Sequence, residues 1–168
     1  DLYELWQQAT DIGLGSFNMG LLSDMICCPG GDYCSLANAK SLPVAEAIQR
    51  RFADYDFQFD LGEIDLNISG CMNACGHHHV GHIGISGVDK KGQEFYQTSL
   101  GGHAGHSGEA PKLGQIVGPS VARAEVCDVI EKILHVYLAQ RFDGEAFLGC
   151  FNRIGIDPFK ESVYATAA

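Results

Sequence analysis

Two pairs of cysteines, far apart along this 168-residue chain, constrain its fold more than any other feature. Cys28 and Cys34 are spaced C-x5-C, and Cys71 and Cys75 are spaced C-x3-C within a stretch bounded by glycines. Each iron of an iron–sulfur cluster takes one soft thiolate from the protein, so two such pairs can together hold a cluster. A fold that uses them in this way must bring two distant loops to one site.

Spacing alone leaves two other interpretations of these cysteines open. Free cysteine is a common core residue, so the four thiols can also be explained as inert packing. The second pair is followed by a group of histidines, namely His77, His78, His79 and His82. With Cys71 and Cys75 these histidines offer ligands for zinc, although zinc modules favour C-x2-C spacing and the first pair would then have no role.

The composition indicates one globular domain that works in a reducing compartment. Hydrophobic residues make up 46% of the chain, which is enough for a sizeable core, and a net charge of -10 argues against a nucleic-acid partner. The chain shows neither a secretion signal nor an apolar run of about twenty residues. Seven cysteines in such a chain point to metal or redox chemistry rather than disulfides. We therefore predict a cytoplasmic protein with no membrane partner.

Apolar periodicity predicts an α+β fold, with a mixed central β-sheet, helices packed on it and the metal site in loops at strand ends. Helices are predicted at residues 1–9, from 35 onwards with the main segment starting near 43, at 121–141, at 144–154 and from 157. Strands are predicted at residues 19–27, 64–69, 83–88, 94–100 and 115–117. Cys127 and Cys150 fall in predicted helices and Cys27 lies outside the paired spacing, so all three are assigned to packing.

Three segments of the chain resemble the sirohaem-dependent nitrite and sulfite reductases. Residues 28–41, CPGGDYCSLANAKS, resemble the first cluster motif of that family. Residues 68–76, ISGCMNACG, resemble its second motif and are followed by HHHVGHIG at 77–84. Residues 153–161, RIGIDPFKE, are similar to the closing segment of the family. The resemblance extends from about residue 20 to residue 164, in the expected order.

The resemblance implies a [4Fe-4S] cluster bound by Cys28, Cys34, Cys71 and Cys75, with Cys75 also ligating the iron of a sirohaem. It implies the six-electron reduction of sulfite to sulfide or of nitrite to ammonium, with electrons from a ferredoxin or a flavoprotein. Asn73 and Ala74 are expected to line the cofactor pocket. Two alternatives stay open: a precorrin-3B-synthase-like relative, and a non-catalytic iron–sulfur electron-transfer module.

The histidine-rich stretch departs from the generic second motif, which carries Arg or Gln at position 77 and an acidic residue at position 82. A histidine-rich subtype of the family also exists. Because the implied reduction consumes protons and histidine titrates near neutral pH, His78 and His79 are candidates for proton delivery or for lining the pocket. No role is assigned to the remaining loop histidines, which are His77, His82, His103 and His106.

A reductase of this type must hold a small oxyanion and a carboxylate-rich macrocycle, which requires several converging Arg and Lys side chains. This chain has eleven basic residues, and none cluster near Cys28 or Gly70. In the family these basic residues come from an earlier half of the same reductase. Residues 1–19 are therefore predicted to be a helix and linker from that N-terminal half, and residues 20–168 the cluster and sirohaem domain. Alone, the chain is not expected to be fully active.

Overall fold

A mixed β-sheet forms the centre of the chain in a computed structural model that describes residues 1–105 and 110–165. The helices in these ranges are α1 (Leu2–Asp11), α2 (Leu42–Arg51), α3 (Tyr55–Leu61), α4 (Val126–Gln140), α5 (Phe147–Ile154) and α6 (Asp157–Tyr164). The strands are β1 (Ile26–Cys27), β2 (Leu66–Ser69), β3 (Ile83–Lys90), β4 (Gln93–Leu100), β5 (Gln115–Ile116) and β6 (Val121–Ala122). His106 lies outside the described residues.

The sheet combines parallel and antiparallel pairs. Strands β1, β2 and β3 run parallel to one another, while β3 and β4 form an antiparallel hairpin. Strand β4 then pairs antiparallel with both β5 and β6 along different parts of its length. This arrangement, with helices packed on the sheet, confirms the predicted α+β class.

The two faces of the sheet differ in chemistry. Leu66 and Ile68 of β2 pair with Ile83 and Ile85 of β3, and all four side chains are fully buried in the hydrophobic core. Because side chains alternate along a strand, the residues between them belong to the opposite face. That face carries the row Asn67, Gly84 and Ser99, which we call the polar row.

Helix α4 covers the apolar side as the sequence predicts. Its buried stripe consists of Val126, Val129, Ile130, Ile133, Leu134 and Tyr137. The Tyr137 hydroxyl lies 3.0 Å from the carbonyl oxygen of Leu61 and 2.8 Å from that of Glu145. This buried tyrosine therefore ties α4 to the end of α3 and to the loop before α5.

The predicted strand at residues 19–27 is wrong except for its last two residues. Leu21 and Leu22 are buried, but they lie in hydrogen-bonded turns, because Leu21 N–H donates to Asn18 and Asp24 N–H donates to Leu21. Ile26 in β1 is 52% exposed, whereas a buried strand was expected. The apolar run here supplies two core contacts from a turn, not a continuous strand.

Other boundaries also differ from the prediction. Strand β2 is buried on all four residues, although alternation predicted a half-buried strand, because a parallel strand inside a sheet is covered on both faces. Helix α2 begins at Leu42, as predicted for the main segment near residue 43, but residues 35–41 are not helical. Residues 121–125 form β6 and a short 3-10 turn before α4, and α5 starts at Phe147 because Gly144 has φ +69°.

Helix α3 was missed by the sequence analysis. Asp54 precedes it, and its carboxylate accepts hydrogen bonds from the N–H groups of Asp56 and Phe57. Asp is a preferred residue at this position because it satisfies N–H groups that have no partner within the helix. Gly62, with φ +75°, ends the helix. The available sequence signal for this helix was therefore the Asp that precedes it and the Gly that follows it.

None of the helices in the described part of the chain is long and apolar enough to span a membrane.

We expect the α4 stripe to dominate stability. Replacing the fully buried Ile130 by Ala should lower the free energy of unfolding by about 2–5 kcal/mol, because it leaves a cavity between α4 and the sheet. Ile12 is 72% exposed, so the same substitution there should cost less than about 0.5 kcal/mol. Urea unfolding followed by circular dichroism measures both, and equal losses would contradict the assignment of α4 to the core.

Candidate metal centre

Parallel pairing of β1 with β2 places the two cysteine motifs side by side. Ile26 pairs with Asn67 and Cys27 with Ile68, and the N–H of Cys28 continues the pattern by donating to the carbonyl of Ile68 at 3.0 Å. Parallel strands end at the same edge of a sheet. The first motif starts where β1 ends, and the second starts where β2 ends.

A direct hydrogen bond joins the two motifs. The backbone N–H of Gly70 donates to the Sγ atom of Cys28 at 3.1 Å. The Oγ atom of Ser41 lies 3.6 Å from the same sulfur. Hydrogen bonds from N–H groups stabilise negative charge on sulfur and are typical of iron–sulfur sites. Cys28 is therefore positioned as a thiolate ligand would be, next to the residue that precedes Cys71.

The rest of the first motif wraps around Gly70. The N–H groups of Asn38 and Ala39 both donate to the carbonyl oxygen of Gly70, at 2.9 and 3.0 Å. The N–H of Cys34 donates to the carbonyl of Gly30 at 2.9 Å, which closes the turn that holds Cys34. A Cβ atom on Gly70 would lie 2.7 Å from the carbonyl oxygen of Ala39, so only glycine allows this approach.

The second motif forms a tight turn with two residues in the left-handed region. Ala74 has φ +57° and His77 has φ +54°, values that side-chain-bearing residues rarely adopt. The N–H of Gly76 donates to the Oγ atom of Ser69 at 3.0 Å, which returns the chain to the end of β2. As a result Cys71 is buried while Cys75 is exposed. Asn73 is exposed, and Ala74 is half-buried.

All seven cysteines are free thiols. Within residues 1–105 and 110–165, no group of three or more His, Cys, Asp or Glu side chains is arranged to hold a metal ion. A zinc site needs ligands that meet at one ion. A [4Fe-4S] cluster differs in geometry, because each thiolate binds its own iron and the four sulfurs need not converge on a single point. The thiol chemistry and the joined motifs fit a cluster.

The histidines of the second motif fall into buried and exposed positions. His78 is 4% exposed, and its Nδ1 atom has no hydrogen-bond partner among the described residues. Burial, together with the nearby His79, lowers the pKa of His78 to about 4, so this side chain is neutral at pH 7. His79 is exposed, and its ring centroid lies 4.0 Å from that of His78. His77 is also exposed.

Two further histidines have local structural contacts. The Nδ1 atom of His82 accepts a hydrogen bond from the N–H of Asp65 at 3.2 Å, and its Nε2 atom lies 3.7 Å from the Asp65 carboxylate. The Nδ1 atom of His103 accepts from the N–H of Gly105 at 2.9 Å. These contacts hold His82 to Asp65 and His103 to Gly105.

The three other cysteines behave as packing residues. Burial, and secondarily the charge of Cys28, raises the pKa of Cys27 to about 11, and its thiol donates to the carbonyl of Cys28 at 3.3 Å. Cys150 is fully buried in the core, and burial raises the pKa of its thiol. Cys127 packs against the core, and burial also raises the pKa of its thiol. None of the three is poised to become a thiolate.

Exposed apolar side chains surround the cysteine motifs, a feature that the sequence analysis did not anticipate. We call this set the apolar rim: Ile26 at 52%, Tyr33 at 80%, Leu36 at 71% and Met72 at 82% exposure. Exposed apolar side chains, where they adjoin one another, commonly mark a site that another surface covers. The motifs that carry the candidate ligands therefore also present exposed apolar side chains.

A family model described as "Nitrite and sulphite reductase 4Fe-4S domain" matches residues 19–167. The chain belongs to this family. Sulfite reductase (ferredoxin) 1 of Mycolicibacterium paratuberculosis is 32% identical over 146 residues, which cover 81% of this chain and 26% of that protein. Sulfite reductase (NADPH) hemoprotein beta-component of Staphylococcus saprophyticus is 28% identical, covering 91% and 26%. The chain thus spans about a quarter of the length of these relatives.

Solved structures share the fold of this family member. The Mycobacterium tuberculosis NirA protein aligns with a TM-score of 0.76 and 25% identity, over 94% of this chain and 30% of that one. Dissimilatory sulfite reductase I aligns with a TM-score of 0.65 at 13% identity, which supports the fold alone. A more distant relative, cobalt-factor III methyltransferase of Priestia megaterium, is 28% identical over 83% of this chain and 24% of its own length.

Gly70 should be intolerant of a side chain. Gly70→Ala places a Cβ atom against Ala39 and Gly30, so we expect a loss of about 1–3 kcal/mol in the free energy of unfolding. Gly149 provides the matched control, because it lies within α5 and the nearest atom to an added Cβ is 3.5 Å away. Gly149→Ala should leave stability unchanged or raise it by up to about 1 kcal/mol. Denaturant midpoints of both variants measure this, and a neutral Gly70→Ala would contradict the close packing of the motifs.

His78 should make the fold sensitive to mild acid. Its pKa is about 4 in the folded chain, below the ordinary 6.5, so the unfolded chain binds the proton more readily. Stability should therefore fall as pH is lowered from about 6.5 to about 4, and His78→Leu should reduce that fall. The exposed His135 of α4 is the control, and His135→Leu should keep the wild-type pH profile. Identical profiles for all three proteins would contradict the burial of a neutral His78.

Proposed function

We propose that Cys28, Cys34, Cys71 and Cys75 hold one [4Fe-4S] cluster and that Cys75 also ligates the iron of a sirohaem. The single observation that carries this proposal is the hydrogen bond from Gly70 N–H to Cys28 Sγ, because it joins two motifs that are distant in sequence. Membership of the nitrite and sulphite reductase 4Fe-4S domain family supports the choice of cluster over other thiol sites. The protein is then the cluster-binding part of a sulfite or nitrite reductase.

The four cysteines differ in exposure in a way that suits this proposal. Cys71 is buried against the end of β2, so a metal bound there is shielded from water. Cys75 is exposed, so its thiolate is accessible to a second group that this chain does not enclose. When bound, the cluster and the sirohaem would supply the electrons and the iron at which sulfite or nitrite is reduced.

The chain's own residues would orient this site and move protons to it. The left-handed turn at Ala74 fixes the direction of Cys75, and the exposed Asn73 beside it can line the cofactor pocket. The exposed His79 can exchange protons with water, which suits proton delivery during a reduction that consumes protons. His78 is buried and neutral, which suits a pocket residue rather than a proton donor.

Binding of the oxyanion and of the macrocycle's carboxylates needs positive charge from elsewhere in the reductase. Lys40 lies within the first motif, but its ammonium forms a 2.8 Å ion pair with Asp32. We assign the missing basic residues to the N-terminal half of the same polypeptide, which would also cover the apolar rim. Residues 1–19 would connect the two parts and residues 20–168 would form the cluster domain. The start of the family-model match at residue 19 supports this division.

A ferredoxin or a flavoprotein would supply electrons to such a reductase, and a cytoplasmic location would keep its thiols reduced. Two of the relatives carry ferredoxin and NADPH in their names, which supports both kinds of donor. This chain alone would lack full turnover, since it spans about a quarter of the length of those relatives.

The similarity to cobalt-factor III methyltransferase favours one second candidate. In that candidate the same domain serves a precorrin-3B-synthase-like relative, with the four-cysteine site retained and the sulfite or nitrite reaction absent. A non-catalytic electron-transfer module would hold the cluster without sirohaem. Visible absorption of the anaerobically purified protein separates these cases: sirohaem bands support the reductase, and a cluster spectrum alone supports the other two.

Each motif cysteine should be needed for iron. After anaerobic reconstitution with iron and sulfide, we expect the wild-type chain to hold both elements in equal amounts, and each single Cys→Ser change at 28, 34, 71 or 75 to lose most of them. Cys127→Ser is the matched control, since this half-buried thiol lies on α4 outside the motifs. Iron and acid-labile sulfide analysis measures the result. Normal uptake in Cys28→Ser and Cys34→Ser would remove the proposed cluster.

A further inference from the structure

His78 is a buried polar side chain whose hydrogen bonding is incomplete within this chain. The residue is 4% exposed, and its Nδ1 atom has no hydrogen-bond partner among residues 1–105 and 110–165. Buried polar atoms in folded proteins are almost always paired, because leaving one unpaired forfeits the hydrogen bond it makes to water. An atom of this kind indicates a partner that the chain itself does not supply.

The polar residues next to His78 form hydrogen bonds with other groups. The 3-10 turn His78–Val80 packs over the polar row, with the carbonyl of His78 against Gly84. Within that row, the Nδ2 atom of Asn67 donates to the carbonyl of His77 at 3.1 Å, and the Oγ atom of Ser99 bonds the carbonyl of Gly84 at 3.5 Å. The amide N–H of Asn67 and the hydroxyl of Ser99 thus both point to backbone carbonyls, and neither residue bonds the Nδ1 atom of His78.

The charge state of His78 restricts what the partner can be. Burial, and after it the neighbouring His79, lowers the pKa of His78 to about 4, so the imidazole carries a single N–H at neutral pH. A neutral donor in a buried site favours an acceptor with negative charge, since such bonds are roughly twice as strong as those between neutral groups. Acceptors of that kind are absent from the polar row, whose side chains are an amide, a hydroxyl and a glycine.

We propose that His78 is a positioning residue whose Nδ1–H donates a hydrogen bond to an anionic acceptor of the prosthetic group bound at the second cysteine motif. This inference rests on the proposed function. The acceptor is either a sulfide of the cluster or a carboxylate of the tetrapyrrole. Both are negatively charged hydrogen-bond acceptors. His79 is distinct, because it is exposed and can obtain hydrogen bonds from water.

Three variants separate a missing partner from an ordinary packing role. His78→Leu removes the donor at similar volume, His78→Asn keeps an N–H near the position of Nδ1, and His135→Leu on the exposed side of α4 is the control. In the metal-free chain, His78→Leu should unfold at the same denaturant concentration as the wild type or at a higher one. A midpoint lowered as far as that of Ile130→Ala would overturn the inference, because His78 would then already have its partner within the chain or in an ordered water.

The second measurement uses the chain reconstituted with iron and sulfide. His78→Leu should lose iron to a chelator about tenfold faster than the wild type, since removing a hydrogen-bonding partner of a metal site typically costs this much. Its reduction potential should become more negative, because N–H donors to cluster sulfur favour the reduced form. His78→Asn should restore both values towards the wild type, and His135→Leu should change neither.

The full-length reductase that contains this domain, purified with sirohaem bound, identifies the source of the acceptor. A change in potential with the cluster alone assigns the acceptor to a cluster sulfide. Normal cluster properties with a shifted sirohaem absorption in His78→Leu assign it to a tetrapyrrole carboxylate. Unchanged values in both preparations would overturn the inference while the proposed function stands. If the wild-type chain takes up no iron, that result would contradict the proposed function and, with it, the inferred hydrogen bond from His78.

Discussion

The parallel pairing of β1 with β2 is the constraint on which the candidate site depends. Strand β1 contains two residues, so its own ladder contributes few hydrogen bonds. The pairing is reinforced beyond the strand by Cys28 N–H on Ile68 and by Gly70 N–H on the sulfur of Cys28. A short strand is sufficient because the loop that follows it is fastened to the same neighbour. The cysteine thus serves as a structural contact of the sheet and as a candidate ligand.

That constraint explains the glycines of both motifs. The carbonyl of Gly70 accepts two N–H groups from the first motif, and this requires the two backbones to approach closely. A side chain at Gly70 would collide with the first motif, and one at Gly30 would collide with Ala39 and Ser41 at the far end of its own motif. Backbone N–H groups that approach a sulfur so closely are available to stabilise negative charge there. The same glycines therefore allow the loops to pack and shape the electrostatic environment of the thiols.

Sequence patterns predicted the elements whose signals are local. Strands β3 and β4 were predicted at residues 83–88 and 94–100. Between them, Lys91 and Gly92 have the positive φ values that a tight two-residue turn requires. The long helix α4 was predicted from its apolar stripe. The start of strand β1 was not predicted correctly, because Leu21 and Leu22 are buried in turns, and periodicity cannot distinguish a buried turn from a buried strand.

The candidate site was likewise predictable only in its local features. The cysteine spacing and the surrounding residues indicated the four thiols as candidate ligands, because residue type and spacing can be read directly from the sequence. The burial of His78 was not predictable, because it depends on how the turn after the second motif folds back over β2 and β3. Four adjacent residues, Gly76 to His79, alternate between buried and exposed, and nothing in three consecutive histidines distinguishes the middle one. The apolar rim was also not predicted, since residue type alone does not show that Tyr33, Leu36 and Met72 are exposed.

The surface around the motifs argues for a site that is completed from outside this chain. An oxyanion site requires positive charge, yet the chain carries a net charge of -10, and Lys40, the lysine within the first motif, is paired with Asp32. Exposed apolar side chains flank Cys34 and Cys71, and Cys75 itself is exposed. Burial of that rim by a basic partner surface would exclude water and supply the missing charge in one step, and a low-dielectric site strengthens both effects. In the proposed reductase, the domain would therefore contribute thiols, turns and a neutral histidine, while charge and enclosure would come from the surface that covers it.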